Sequence, residues 1–220
     1  MRRGALRPFR SFLPGPRSMF YTTDGPHGLP HNPFMAVMVP RPIGWISSVD
    51  AAGNRNLAPF SVFNGMPCDP PVVFFGPSGQ HKEGGPKDSL RNIEETGEFV
   101  CNIATWETRE AMNASSALVA RDVDEFELSG LTPLPSTLVK PARVAESPVH
   151  FECVHLQTVH LPSKLAGVSA LVIGQVVGIH IDEGILTDGI VDMKKFRPIA
   201  RLGSSDYTVV DTIFSMIRPG

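Results

Sequence analysis

The chain has 220 residues, of which 42% are hydrophobic and 19% charged, and its formal net charge is −2. That balance suits one large all-β domain and leaves no broad basic field for nucleic acid or a membrane surface. Three cysteines, Cys68, Cys101 and Cys153, stand apart without CxxC spacing, which suits free thiols in a reducing, cytoplasmic setting better than a disulfide framework.

Residues 1–18 hold Arg2, Arg3, Arg7, Arg10 and Arg17 with no acidic side chain, and Pro8, Pro14 and Pro16 interrupt them. Prolines at that density make a poor amphipathic helix, so a disordered extension is expected before a folded domain at 19–220. An organelle-targeting peptide, or a true start at Met19, are the other readings. Residues 24–33 form a Pro/Gly connector. Runs at 43–49 and 56–64 flank the turn signal Ala52-Gly53-Asn54 and predict a hairpin. Val72 to Phe75 reads as a strand buried on both faces. Leu90 and Ile93 lie at helical spacing within 87–96, and Gly97 is a natural stop.

Phe99, Cys101 and Ile103 alternate in the next strand, and Thr105 is placed to cap a helix over 106–117. A proline-punctuated loop spans 130–148, then Val149, Phe151 and Cys153 alternate again. Leu165 to Ile181 approaches the length of a membrane span, but Gln175, His180 and its glycines suit a buried strand. Cys101 and Cys153 read as buried, inert thiols. Many strands with two or three short helices predict a mainly β fold closed as a barrel.

Three segments carry candidate chemistry. Gly84-Gly85-Pro86-Lys87-Asp88-Ser89-Leu90 leads a glycine-rich loop into a helix start, where free amides, the helix dipole and Lys87 favour an anion. Asp88 is placed as the N-cap, and Arg91 lies one turn on. The same residues also fit an exposed, solvated helix. Arg41 to Ser48 ends a strand on the paired hydroxyls Ser47 and Ser48, with Gly44 permitting close approach; a strand ending in a polar turn has that pattern too. In Asn56 to Asn64, Pro59 implies an edge or bulge, leaving Ser61 and Asn64 to meet a polar heterocycle beside Phe63, or simply forming an irregular strand.

Taken in order, RPIGWISS, NLAPFSVFN, the KDS turn, GEFVCNIATWETREAMN and RPIARLG resemble the flavin reductase-like family over residues 19–220. The resemblance implies an FMN-binding split β-barrel, working as a homodimer in NADH- or NADPH-linked flavin chemistry. A monooxygenase or another electron acceptor is the implied partner, and an electron carrier that holds FMN without turnover is the alternative function. It further implies that Trp45, Ile46, Ser47 and Ser48 line FMN, and that Ser61, Phe63 and Asn64 sit near its ring and ribityl chain. Lys87, Asp88 and Ser89 would hold the phosphate, Arg201 would stand at the flavin edge, and Met112 and Asn113 would approach the partner's cofactor. The stretch 79–86 is longer than the family's usual connection and is expected to form a lid or loop outward, leaving His81 and Lys82 unplaced.

Hydride transfer to flavin depends on stacking geometry, so no obligatory acid–base residue is expected. GxGxxG is missing, which implies an open groove for the nicotinamide nucleotide. The seven histidines lack metal-ligand spacing, and no metal site is expected.

Overall fold

The computed structural model describes residues 19–164 and 167–220; the expectations for 1–18 and for Leu165 and Ala166 lie outside the described residues. In chain order the elements are α1 (Phe34–Val37), β1 (Arg41–Pro42), β2 (Gly44–Val49), β3 (Arg55–Phe60), β4 (Phe63–Met66), β5 (Val72–Phe75), β6 (Ser78–Gly79) and α2 (Asp88–Thr96). There follow β7 (Glu98–Ile103), α3 (Arg109–Ala114), α4 (Glu125–Leu128), β8 (Pro133–Leu134), β9 (Arg143–Val144), β10 (Val149–Leu161) and β11 (Val168–Ile181). Then come β12 (Leu186–Thr187), β13 (Ile190–Val191), α5 (Met193–Phe196), β14 (Ile199–Arg201) and β15 (Tyr207–Val209).

The large antiparallel sheet runs β3-β2-β7-β10-β11-β5-β4, with β6 added on β11. β3 and β4 form opposite ends of that path, yet only Ser61 and Val62 separate them in the chain. From Phe60 to Phe63 is three residue steps, at most about 10 Å, so the two edges stand close together and the sheet must curl. Aromatic contacts across the interior show the curl directly: Phe60 on β3 meets Phe75 on β5 at 4.9 Å between ring centroids, and Phe75 meets Phe99 on β7 at 5.7 Å. Ile46, Phe63, Cys101, Cys153 and Val172, drawn from strands around the whole sheet, share the same core. Leu90 and Ile93 of α2 pack into that core.

Local chemistry accounts for the joints. Gly53 turns the β2–β3 hairpin at φ 89°, and Gly97 ends α2 at φ 77°, its amide donating to Ile93 O at 2.9 Å. Both are left-handed positions that glycine occupies without a Cβ clash. Gly44 serves a different purpose. A Cβ there would lie 2.5 Å from Cδ2 of Phe63, so the close approach it permits is that of β4's aromatic ring and not of a ligand.

A second apolar cluster lies on the other side of β2, where Trp45, Leu57, Met112, Phe126, Val144 and Ile199 pack together. β2 is thus sealed on both faces, and every residue from Gly44 to Val49 is buried.

Four sequence expectations change. The extended run Asn56–Asn64 is two strands, broken at Ser61-Val62 where the chain crosses from one sheet edge to the other. Val72–Phe75 is not covered twice: Val73 and Phe75 face the core, while Val72 and Phe74, on the other face, are only half-buried. The helix expected over 106–117 is confined to Arg109–Ala114, and Thr105 does not cap it, since the Thr105 amide donates to Thr108 Oγ1 at 2.9 Å. Pro59 does lie on an edge strand, as its missing N–H requires. Cys101 and Cys153 are free and fully buried, and burial, followed by the neighbouring Cys153, raises the Cys101 thiol well above its ordinary value.

Candidate cofactor site

A cleft of about 630 Å³ opens beside the junction of the two sheet edges, within the size range of small-molecule sites. Its walls include Ser61 and Val62 from the edge-to-edge turn, Lys87 at the head of α2, and Arg41 and Arg201 from the paired strands β1 and β14. No carboxylate lies among its lining residues. Arg41 and Arg201 are register partners, so two like charges are held side by side. Burial, and after it the charge on Arg201, lower the Arg41 pKa. Such an arrangement is favourable when an anion shares the space.

Each cation is held differently. The Arg41 guanidinium donates to Met35 O, to Met38 O at 3.2 Å and to Leu202 O at 2.9 Å, while its buried Nε has no acceptor among the described residues. Arg201 lies over the Tyr207 ring at 4.5 Å and donates to Tyr207 Oη and Ser204 O. Lys87 is half-buried, and among the described residues its ammonium has neither ion pair nor hydrogen bond. Ser61 likewise keeps a free hydroxyl on the cleft.

Lys87 also faces a second, smaller recess of about 60 Å³, shared with Asn56, Asp88, Ser89, Ser115 and Glu125. It lies at the N-terminus of α2, where the amides of Asp88 and Ser89 take no acceptor among the described residues. Helix-start amides beside a cation form an anion site. Lys87 is the side chain common to recess and cleft.

Of the remaining predicted residues, Trp45, Ile46, Ser47, Ser48, Phe63 and Asn64 line neither the cleft nor the recess. Trp45 and Ile46 are fully buried, and Trp45 Nε1 donates to Ser115 Oγ at 2.9 Å. The Ser47 hydroxyl donates to Ala142 O at 2.5 Å, and that of Ser48 accepts from Asn56 and Asn92, each at 3.3 Å. Their strand is central and covered on both faces, so neither hydroxyl is open to a ligand. Phe63 belongs to the core, and Asn64 is exposed, its Oδ1 taken by the Gly65 amide at 2.8 Å. The Ser89 hydroxyl accepts from Asn56 Nδ2 at 2.9 Å, which leaves its backbone amide for an anion.

Asp88 is not the N-cap. Lys87 takes that position, and the Asp88 carboxylate pairs with Arg121, with His81 Nε2 at 3.3 Å and with Arg91 at 3.3 Å. Arg121 also donates to Gly84 O at 2.8 Å, so the 79–86 stretch is clamped to the helix and folds as a turn, neither a loose lid nor an outward loop. His81 packs against Asp88, and Lys82 is exposed.

The Flavin reductase like domain family matches residues 20–200. The chain belongs to that family. An uncharacterised protein of Halalkalibacterium halodurans is 33% identical over 186 residues, covering 84% of this chain and 88% of its own. Nitrilotriacetate monooxygenase component B of Bacillus cereus shares the structure at a TM-score of 0.77 and 31% identity, over 83% of this chain and 90% of its own. Flavoredoxin of Desulfovibrio vulgaris shares the fold at a TM-score of 0.68 and 21% identity, over 80% and 90% of the two chains. The curled sheet is therefore the split barrel of flavin reductase-like proteins, and the cleft lies beside the turn that joins its two edge strands.

For this flavin reductase-like chain, sequence reasoning missed Arg41 as a site cation, although it opens the RPIGWISS motif. It also missed Arg121 and Glu125. Burial, the largest cause, with the Asp88 and Asp124 carboxylates behind it, raises Glu125 to about 7 against the opposing hydrogen bond from the Leu57 amide. Nothing local in the sequence marks either residue as a neighbour of Lys87. Met112 is 1% exposed and belongs to the second cluster, so of the two residues expected to face a partner only Asn113 is exposed.

Proposed function

We propose that the protein is an FMN-dependent oxidoreductase that takes reducing equivalents from NADH or NADPH. The observation that carries this reading is the cleft beside the turn between the two edge strands, lined by Arg41, Lys87 and Arg201 without a carboxylate. Lys87 and the amides of Asp88 and Ser89 fit a phosphate monoester, and the Ser61 hydroxyl and the Arg201 edge fit the polar rim of a flavin. Bound FMN would supply the hydride acceptor that no side chain provides.

The chain's own residues bind and orient. Lys87 fixes the phosphate end by charge, and Asp88, held by Arg121 and His81, keeps the helix head in place. Phe60 and Val62 supply apolar wall at the cleft. The exposed apolar side chains of Phe34, Val37 and Met38 beside the cleft support a homodimer in which a second copy covers that face. The likeness to a monooxygenase component B supports a monooxygenase, or another acceptor, as the destination of the electrons. Free thiols throughout the described residues accord with a reducing, cytoplasmic setting.

Anaerobic titration of the purified, flavin-loaded protein with NADH and with NADPH tests the reading through the flavin absorbance. Bleaching by either nucleotide is expected. A yellow protein bleached only by dithionite would make it an electron carrier, and a chain with no affinity for flavin would overturn the assignment.

A further inference from the structure

On the outer face of the sheet, in a region that shares no lining residue with the first cleft, β10 and β11 place His150 and His180 directly opposite one another. Their rings meet edge-on with centroids 6.0 Å apart, in a separate polar cleft of about 440 Å³ walled also by Arg143, Ser147 and Asp182. His150 is 5% exposed, and its Nε2 lies 2.8 Å from Val144 O. A carbonyl has no proton to give, so Nε2 is the donor. With the proton on Nε2, Nδ1 of the ring is a bare lone pair. That buried Nδ1 has no partner among the described residues.

His180 is arranged in the same way. Its Nε2 lies 2.6 Å from Oε1 of Glu152, a carboxylate that is fully buried and also accepts the amides of Thr137 at 2.8 Å and Leu138 at 2.6 Å. With its two oxygens taken by these donors, Glu152 holds the His180 ring through Nε2, and Nδ1 is the ring nitrogen that His180 has left.

One imidazole anchored through Nε2–H to a backbone carbonyl, and another anchored to a carboxylate, are the supports that metal-binding histidines carry. With metal–nitrogen bonds of about 2.1 Å, ring centroids lie roughly 3.2 Å from a shared ion, so the 6.0 Å separation is just inside the limit of about 6.4 Å and corresponds to a wide nitrogen–metal–nitrogen angle. An orphaned lone pair also selects for a cation or a proton donor and against an anion. Arg143 opposes a cation, but its guanidinium is turned to Pro135 O at 3.0 Å, and the Glu152 carboxylate against His180 favours one. Among the described residues no three His, Cys, Asp or Glu side chains are grouped to hold an ion.

We infer that His150 and His180 form a two-imidazole site for a divalent transition ion such as Zn²⁺ or Cu²⁺, completed by solvent. The inference does not depend on the flavin reading. Tag-free protein, stripped with a chelator and dialysed, is titrated with Zn²⁺ by calorimetry and with Cu²⁺ by electron paramagnetic resonance. One ion per chain and a Cu²⁺ spectrum with nitrogen ligands are expected. His150→Ala and His180→Gln should each weaken binding at least tenfold, and Glu152→Gln about 10- to 100-fold. His180 is partly exposed, so its variant tests the site even where the buried replacements do not fold; unchanged far-UV circular dichroism and thermal unfolding certify each protein used. No saturable binding, or equal affinity in wild type and His180→Gln, would overturn the inference.

Discussion

Asn56 Nδ2 donates to Ser89 Oγ at 2.9 Å, joining the edge strand of the barrel to the first turn of α2. The same carboxamide reaches Ser48 Oγ at 3.3 Å, and Asn92 reaches that oxygen from one turn further along the helix. Strand β2, the edge strand and the helix head are thereby held in one buried polar network. Its purpose is positional, because it sets where Lys87 and the free helix amides stand relative to the cleft.

Removing the carboxamide should loosen that network. Asn56→Ala leaves a buried hydroxyl short of its donor, and a loss of about 1–3 kcal/mol of stability is expected, measured by urea unfolding. FMN affinity should fall with it. Unchanged stability would show that the network contributes no more than its replacement by water.

Gly44 and Phe63 make a second pair with a definite consequence. A methyl at position 44 would lie 2.5 Å from the Phe63 ring, and forced overpacking costs about 1–3 kcal/mol. Gly44→Ala should lower the midpoint of thermal unfolding, and the double variant Gly44→Ala with Phe63→Leu should recover part of what the two single losses sum to. Strict additivity would contradict the contact.

Glu125 makes stability depend on pH. Its carboxyl is raised to about 7 in the folded protein from an ordinary value of 4.5, so between those values the native state holds a proton that the unfolded chain has released. Stability contributed this way is fully present below about 4.5 and is lost as pH rises through about 7. Glu125→Gln can keep the hydrogen bond from the Leu57 amide without the ionisation. It should therefore gain stability over the wild type by about 1 kcal/mol at pH 5 and about 3 kcal/mol at pH 8. Guanidinium unfolding of both proteins at the two pH values checks this, and a difference independent of pH would refute it.

How much was legible in the sequence depended on distance along the chain. The hairpin at Gly53, the end of α2 at Gly97, the edge position of Pro59 and the cationic helix head at Lys87 are written in a few adjacent residues, and all four are found. Ser47 and Ser48 show the limit. Period-two alternation assigns the two hydroxyls to opposite faces of a strand, but it does not say whether either face is covered. Here both are, by α2 on one side and by the segment after β7 on the other, and their hydroxyls are taken by Ala142, Asn56 and Asn92. Asp88 fails as a cap for a similar reason. Its partner Arg121 lies 33 residues away, and a charged pair in three dimensions overrides a local preference for turning back onto the helix. The break at Ser61-Val62 is legible only once the curl of the sheet is known.

The account rests on a phosphate held by Lys87, and one comparison tests that most directly. FMN and riboflavin differ by the phosphate, so Lys87→Ala should weaken FMN about 10- to 150-fold, corresponding to a charge-assisted contact of about 1.5–3 kcal/mol, and leave riboflavin nearly unchanged. Binding is read by quenching of flavin fluorescence in wild type and variant. Equal losses for the two ligands, or none for either, would contradict the assigned site.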